Sequence, residues 1–262
     1  MRINGVSHLD IGVTCLAGSG EFVSQTDDTT TVIPGRDGVT WIRSTQKPRV
    51  FGVTLVARAA TRQALDDLLD ATAAWLVGDP ARTAPGPVQL VFDEEFPDRG
   101  WTARLVSPLS ALNAKATRRV KAVLQFQADD PHPHALVDDV TVLTAPGTVP
   151  RLKGNCPSEP LIEIKGVLTK AQTVTLSLWG KTVQVAGPLA SGETMRLDLG
   201  EGLYTKVTPS GVSLLTGQLS AAARKVLFAR ERAICPAGGG PVTWTTTGTI
   251  SQVRVECNSR WL

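Results

Sequence analysis

The spacing of apolar positions along this chain is helical in one long stretch. Between Thr61 and Val77, residues Ala64, Leu65, Leu68, Leu69, Thr72, Trp75 and Leu76 recur at i, i+3, i+4 and i+7. Asp66, Asp67 and Asp70 cover the other side. Thr61 reads as the N-cap, and Gly78 with Pro80 as the stop. Such a helix cannot stand alone. Burying each large apolar side chain contributes roughly 1.5–3 kcal/mol, while ordering each residue's backbone costs about 1–2 kcal/mol. The spacing therefore predicts one helix, 61–77, docked on a sheet face.

The rest of the chain reads as strand after strand. Val50 to Ala57 is apolar enough to be a buried strand leading into the helix, and Pro85-Gly86-Pro87 breaks the chain after it. Val88 to Phe92 and Trp101 to Val106 flank the acidic turn Asp93-Glu94-Glu95-Phe96-Pro97-Asp98, which predicts a hairpin. From Thr117 to Gln127 the chain alternates: Val120, Ala122, Leu124 and Phe126 point one way, Arg119, Lys121, Val123 and Gln125 the other. That pattern belongs to a strand with one solvated face.

Asp129-Asp130-Pro131-His132-Pro133-His134 interrupts regular structure, because two prolines so close force an extended path. The domain boundary is expected here, giving an N-terminal β domain over 1–136 and a C-terminal domain over 137–262. Pro146, Pro150 and several glycines predict a loose linker as far as Pro157. Beyond it, Leu161–Ile164, Val174–Trp179, Thr182–Val185, Thr194–Leu199, Leu203–Val207, Val242–Thr247 and Val253–Cys257 read as short strands punctuated by Gly or Pro. Val174, Leu176 and Leu178 make one alternating face, and Met195, Leu197 and Leu199 another. This is the pattern of a two-sheet sandwich or jelly roll. Ser220 to Arg230 reads as a strand ending at Phe228, with one or two turns of helix as the alternative. The expected fold class is mainly β, with a single docked helix.

Composition sharpens this in a few places. Gly and Pro number 24 and 17, so the chain turns often. A net charge of +3 gives no argument for specific nucleic-acid binding. No apolar run is long enough to span a bilayer, and Met1-Arg2-Ile3-Asn4-Gly5 lacks the apolar core of a secretory signal. Cys15, Cys156, Cys235 and Cys257 lack zinc-site spacing and are expected as reduced, mostly buried thiols. A Cys235–Cys257 bridge is the alternative.

Chemistry-bearing constellations are scarce. There is no GxSxG, HExxH, P-loop or GxGxxG, and no cofactor or metal site is expected. His132 and His134 read as exposed loop residues rather than metal ligands, and His8 has no visible partner. Asp93, Glu94, Glu95 and Asp98 fit a solvated hairpin tip more simply than a calcium site or an acid/base pair. Arg118-Arg119-Val120-Lys121 suits a surface or subunit contact. Trp101, Trp179, Trp244 and Trp261 sit on expected strands, where core packing is the commoner fate than sugar stacking. Gly35-Arg36-Asp37-Gly38 is more specific. It lies between the strand-like runs Thr29–Ile33 and Val39–Ile42, and its glycines permit a tight hairpin. A plain turn has no need of Arg36, whose five donors suit a carboxylate partner.

The order of these features resembles the distal tail protein (Dit) family of long, non-contractile-tailed bacteriophages. Gly35-Arg36-Asp37-Gly38 precedes a strand and a helix ending in Trp75-Leu76. Asp98-Arg99-Gly100-Trp101 follows, then a strand closing in Phe126 before Asp130-Pro131. Gly154-Asn155 comes ahead of Pro160-Leu161-Ile162-Glu163-Ile164-Lys165-Gly166, and the sequence closes on Arg260-Trp261-Leu262. Where family members carry a Pro-Gly-Asn turn before the last strands, this chain has Cys235-Pro236-Ala237-Gly238-Gly239-Gly240-Pro241.

The resemblance implies a galectin-like C-terminal sandwich and a virion component at the distal end of the tail, assembled in the host cytoplasm. It implies a homo-hexameric ring joining the tail tube protein to the baseplate hub around a channel for DNA. Tape-measure and peripheral receptor-binding proteins are further implied partners. Exposed strand edges agree with assembly, since they invite pairing with another chain, and Gly35, Arg36, Asp37 and Gly38 are the expected subunit-interface turn. Two competing readings are a carbohydrate-binding module for host cell-wall glycans and a hydrolase on a β scaffold. The first is short of the His and Asn side chains that galectin-type sugar sites use. The second lacks a catalytic constellation.

Overall fold

The computed structural model describes residues 1–19, 26–31, 40–77, 86–93, 95–107, 118–215, 217–220 and 233–262. They form two compact units, Met1–Pro133 and His134–Leu262.

The first unit contains β1 (Arg2–Ile3), β2 (Val6–Ser7), α1 (His8–Ile11), β3 (Thr14–Ser19), β4 (Thr26–Thr31), β5 (Thr40–Gln46), β6 (Arg49–Arg58), α2 (Arg62–Val77), β7 (Val88–Val91), β8 (Arg99–Leu105) and β9 (Arg119–Ala128). Its main sheet runs β2-β1-β7-β8-β9-β6-β3, antiparallel throughout. The spine is the pair β6–β9, in register from Arg49↔Ala128 to Arg58↔Arg119. Phe51, Val53, Leu55 and Ala57 lie opposite Phe126, Leu124, Ala122 and Val120, so both inward stripes fall on one face.

Helix α2 packs on that face through Leu65, Trp75 and Leu76, all in the same buried cluster. Its start follows the sequence: Thr61 Oγ1 accepts the Ala64 N–H at 3.1 Å. The Thr72 hydroxyl donates to Leu68 O at 2.7 Å, and the Trp75 indole donates to Val6 O at 3.1 Å. Ala64 departs from expectation. It sits in the first turn at the margin of the apolar stripe and is exposed. Gly78 and Pro80 lie outside the described residues.

Two further differences concern the amino-terminal stretch. A one-turn second helix, α1, follows Ser7, whose side chain accepts from Leu9 while Asp10 caps Ser7 in return; Gly12 closes it at φ 89°. The acidic turn is solvated at Glu95 and Asp98, as expected, but less so at Asp93. Asp93 bonds the Arg2 guanidinium, and both side chains are one-third exposed. This pairing ties the first strand to the β7–β8 hairpin. Beneath it, Trp101 meets Phe51, Phe92 and Phe96 edge-on with ring centroids 5.0–6.1 Å apart, and the Arg49 guanidinium lies 5.2 Å from the Trp101 ring.

The second unit contains β10 (His134–Ala135), β11 (Val140–Leu143), β12 (Gly147–Arg151), β13 (Leu161–Val167), β14 (Thr173–Leu178), β15 (Lys181–Ala186), β16 (Thr194–Asp198), β17 (Leu203–Thr208), β18 (Gly211–Leu214), β19 (Gly238–Thr246) and β20 (Thr249–Glu256). Strands β11 to β20 make two facing sheets, β11-β20-β13-β16-β17-β18 and β12-β19-β14-β15. Val174, Leu176, Leu178, Met195, Leu197 and Leu199 are fully buried between them. The sandwich is therefore as expected.

The stretch as far as Pro157 is not a loose linker. Strand β11 pairs with β20, and β12 pairs with β19, placing Pro150 opposite Gly239. Strand β12 is an edge, where proline is tolerated. Gly239, at φ 80°, lies where an added Cβ would run into Val149 O, so the Cys235–Pro241 segment needs glycine at that point. The strand expected over Ser220–Arg230 falls outside the described residues beyond Ser220.

Candidate assembly surface

Among the described residues, strands β4 and β5 pair only with each other, as a two-stranded ribbon apart from the main sheet. All six residues of β4 are exposed. On β5, Trp41 is 60% and Ile42 54% exposed. A bulge between Thr29 and Thr30 leaves Trp41 opposite Thr30. The Trp41 indole donates to Ser44 Oγ at 3.2 Å, and Ser44 in turn bonds Asp28. Lys47 reaches Asp27 at 3.7 Å. These polar contacts set the ribbon's shape but bury nothing, and a two-stranded ribbon without a packed face is marginal in water. Trp41 and Ile42 are the exposed apolar side chains of this ribbon among the described residues.

On the main sheet's other face Val56 is buried, but other apolar positions among the described residues stay exposed. Opposite α2, Leu16, Val50 and Val123 are about half exposed among Thr and Gln side chains. In the second unit, the outward face of the six-stranded sheet carries Arg254 bonded to Glu163 at 3.2 Å and to Glu256 at 2.9 Å. Toward its β17–β18 edge, Leu203, Val207, Val212 and Leu214 are exposed on the same face.

The residues singled out from sequence are distributed as follows. Gly35, Arg36, Asp37 and Gly38 lie outside the described residues, in the segment joining β4 to β5. His8 is not partnerless: its Nδ1 is 2.9 Å from Met1 O. His132 and His134 are half-buried rather than exposed, and His134 bridges to Arg260. Among the described residues no group of three His, Cys, Asp or Glu could hold a metal. Arg119 and Lys121 share the exposed side of β9.

Trp101 is buried, and Trp179 and Trp244 pack against the sandwich core. Trp179 is not on a strand but in the β14–β15 turn, at φ 46°. All four cysteines are free thiols, three of them buried. Trp41 and Ile42 were legible only as strand residues. Their signal was an apolar pair inside a Thr-, Ser- and Asp-rich stretch, where no core face could use it.

No known family model and no curated protein matches the chain. Solved structures do. SPP1 Dit (gp 19.1), described as a paradigm of the hub adsorption apparatus in phages infecting Gram-positive bacteria, superposes with a TM-score of 0.69 at 16% identity. The match covers 100% of this chain and 98% of that one. The chain has the fold of a distal tail protein. The phage P2 baseplate in its activated conformation is also similar. With Ca its matching chain gives a TM-score of 0.55 at 6% identity, and with Sr 0.52 at 7%; each match covers 93% of this chain and 89% of that one. The distal-tail fold thus spans both units, the helix-backed sheet and the sandwich alike.

Proposed function

We propose that this protein is a structural component of a phage tail tip, without catalytic activity. It forms a homo-hexameric ring at the distal end of the tail and joins the tail tube protein to the baseplate hub around a channel for DNA. The observation that carries this reading is the whole-length likeness to SPP1 Dit. The exposed ribbon supplies the contact: β4–β5 reaches from one copy to the next, and a head-to-tail contact repeated with the right rotation closes a ring. The turn Gly35-Arg36-Asp37-Gly38 lies between its strands in sequence, and Arg36 pairs with a carboxylate of the ribbon or of the neighbouring copy. The tape-measure protein and peripheral receptor-binding proteins are the further partners. The site of action is the virion, after assembly in the host cytoplasm.

Mass photometry and negative-stain microscopy of the purified chain test this directly. Six-fold rings are expected. A strictly monomeric particle at high concentration overturns the ring. Arg36→Ala is expected to lower the ring fraction, and an unchanged ring removes Arg36 from the interface. The carbohydrate-binding reading gains no support from the placement of Trp101, Trp179 and Trp244 against cores. A glycan array is expected to give no hits.

A further inference from the structure

Charge is sorted within the first unit. No acidic residue occurs from Gly38 to Leu65, or from Arg99 to Ala128. These stretches supply β6, β8 and β9, the middle of the main sheet. The whole chain carries only +3, so this is segregation rather than excess. At one end of the sheet the basic side chains crowd. Arg58 lies directly opposite Arg119, and Lys121 sits two residues along β9, opposite Val56. All three are exposed, on the face turned away from α2. Arg118 precedes them on the chain and is exposed as well. Like charges directly opposite one another weaken a strand pair, so an isolated copy gains nothing from this arrangement.

The acids gather on the other layer. Asp66, Asp67 and Asp70 are exposed on α2, which has no basic residue after Arg62. Asp67 accepts from the Gln63 side-chain amide at 2.8 Å. Ala71 and Ala74 continue the exposed stripe at i+4 and i+7 from Asp67, and their small side chains let a second surface come close. One two-layer unit thus shows a cationic sheet corner on one side and an anionic helix face on the other.

We infer that these faces meet between copies: the acidic stripe of α2 in one copy docks on the Arg58–Arg119–Lys121 corner of the next. The inference rests on the ring reading and names a second contact in it, beside the ribbon. Because the two faces lie on opposite layers, they do not meet within one copy. They meet when each copy offers its helix to one neighbour and its sheet corner to the other, the head-to-tail pattern from which rings close. Complementary charge of this kind steers encounter and fixes register more than it adds affinity, which suits a contact repeated at one angle around a circle.

The test uses the full chain, with mass photometry for assembly and a thermal melt for the fold. One variant is Arg58→Glu with Lys121→Glu, the other Asp67→Arg with Asp70→Arg. All four side chains are exposed, so both melts are expected close to wild type. Each variant alone sets like charges against each other at every contact and is expected to weaken assembly about a hundredfold or more. Mixed in equal amounts, the two are expected to form rings again, because alternating copies meet the opposite charge on both sides. Wild-type rings together with unchanged assembly of either variant, or with no recovery on mixing, would overturn the inference and leave the ring reading in place. Unchanged assembly with lost affinity for double-stranded DNA in the Arg58 and Lys121 variant would give the corner to phosphate and overturn it too. A wild type that forms no ring fails the ring reading, and this inference with it. Should a variant melt early, carbodiimide coupling of wild-type rings built from heavy-nitrogen and unlabelled copies decides. A mixed-label peptide joining Lys121 to Asp67 or Asp70 is expected, and coupling of Lys121 only within one copy or only to other carboxylates would overturn the inference.

Discussion

Arg151 is 3% exposed, and its guanidinium spends its donors mostly on the chain's own backbone. Besides the Cys156 and Cys235 carbonyls, it reaches Arg260 O and Ser259 Oγ, each at 3.4 Å. One side chain on an edge strand thus fastens two remote segments and the nearby Cys156. Arg151→Met keeps much of the volume but leaves those acceptors without donors. We expect a loss of about 1–3 kcal/mol for each buried acceptor left unsatisfied. It will be read as a lower urea midpoint at constant m. Arg151→Lys will not restore stability, because a point charge cannot reproduce the fork.

Glu193 gives a pH effect with a definite sign. Its carboxylate accepts the Ala190 N–H at 2.8 Å and pairs with Lys206 at 3.3 Å, which holds it below the usual glutamate range, the Ala190 bond first. The folded chain therefore binds this proton less readily than the unfolded chain. The contribution is present above the ordinary glutamate pKa, about 4.3, and is lost as pH falls through the depressed folded value. Glu193→Gln should flatten that acid limb in thermal unfolding measured from pH 6 to about pH 2.5.

At the scale of elements, α2 is held by packing more than by propensity. Leu76 is 1% exposed against the β6–β9 spine. Leu76→Ala should cost about 2–5 kcal/mol, while Thr61→Ala should cost about 1 kcal/mol through the cap. Chemical denaturation of both variants separates the two terms. This helix was legible because its apolar stripe is long enough to show a period. The sandwich strands were legible because Val174–Leu178 and Met195–Leu199 alternate.

What the sequence hid has physical reasons. Helix α1 is one turn, too short for periodicity, and only Ser7, Asp10 and Gly12 mark it. Strand β12 carries Pro150, which reads as a breaker yet sits on an edge where its missing N–H costs little. Strand β18 is exposed at every residue and so has no buried face to alternate with. The ribbon is the same case on a larger scale. Trp41 and Ile42 pointed to no interior.

For the whole molecule, the proposed ring gives the ribbon a role in assembly rather than in folding. Side chains exposed to solvent contribute little to the stability of the unit that carries them, typically within about 0.5 kcal/mol. An aromatic residue at the centre of an interface, by contrast, commonly contributes 2 kcal/mol or more to association. If Trp41 and Ile42 are covered by a neighbouring copy, Trp41→Ala with Ile42→Ala should leave the unfolding midpoint nearly unchanged. It should also weaken ring formation by about tenfold or more per contact, since each 1.4 kcal/mol is a factor of ten. In a closed ring every copy makes the contact on both sides, so the loss multiplies around the circle and the variant will run as monomers and short arcs. Mass photometry over a concentration series, paired with a thermal melt, measures both quantities on one sample. Wild-type assembly in that variant would free the ribbon from the interface and leave the open strand edges to account for the ring. A lowered melting point without a change in assembly would place the two side chains in the fold of a single copy.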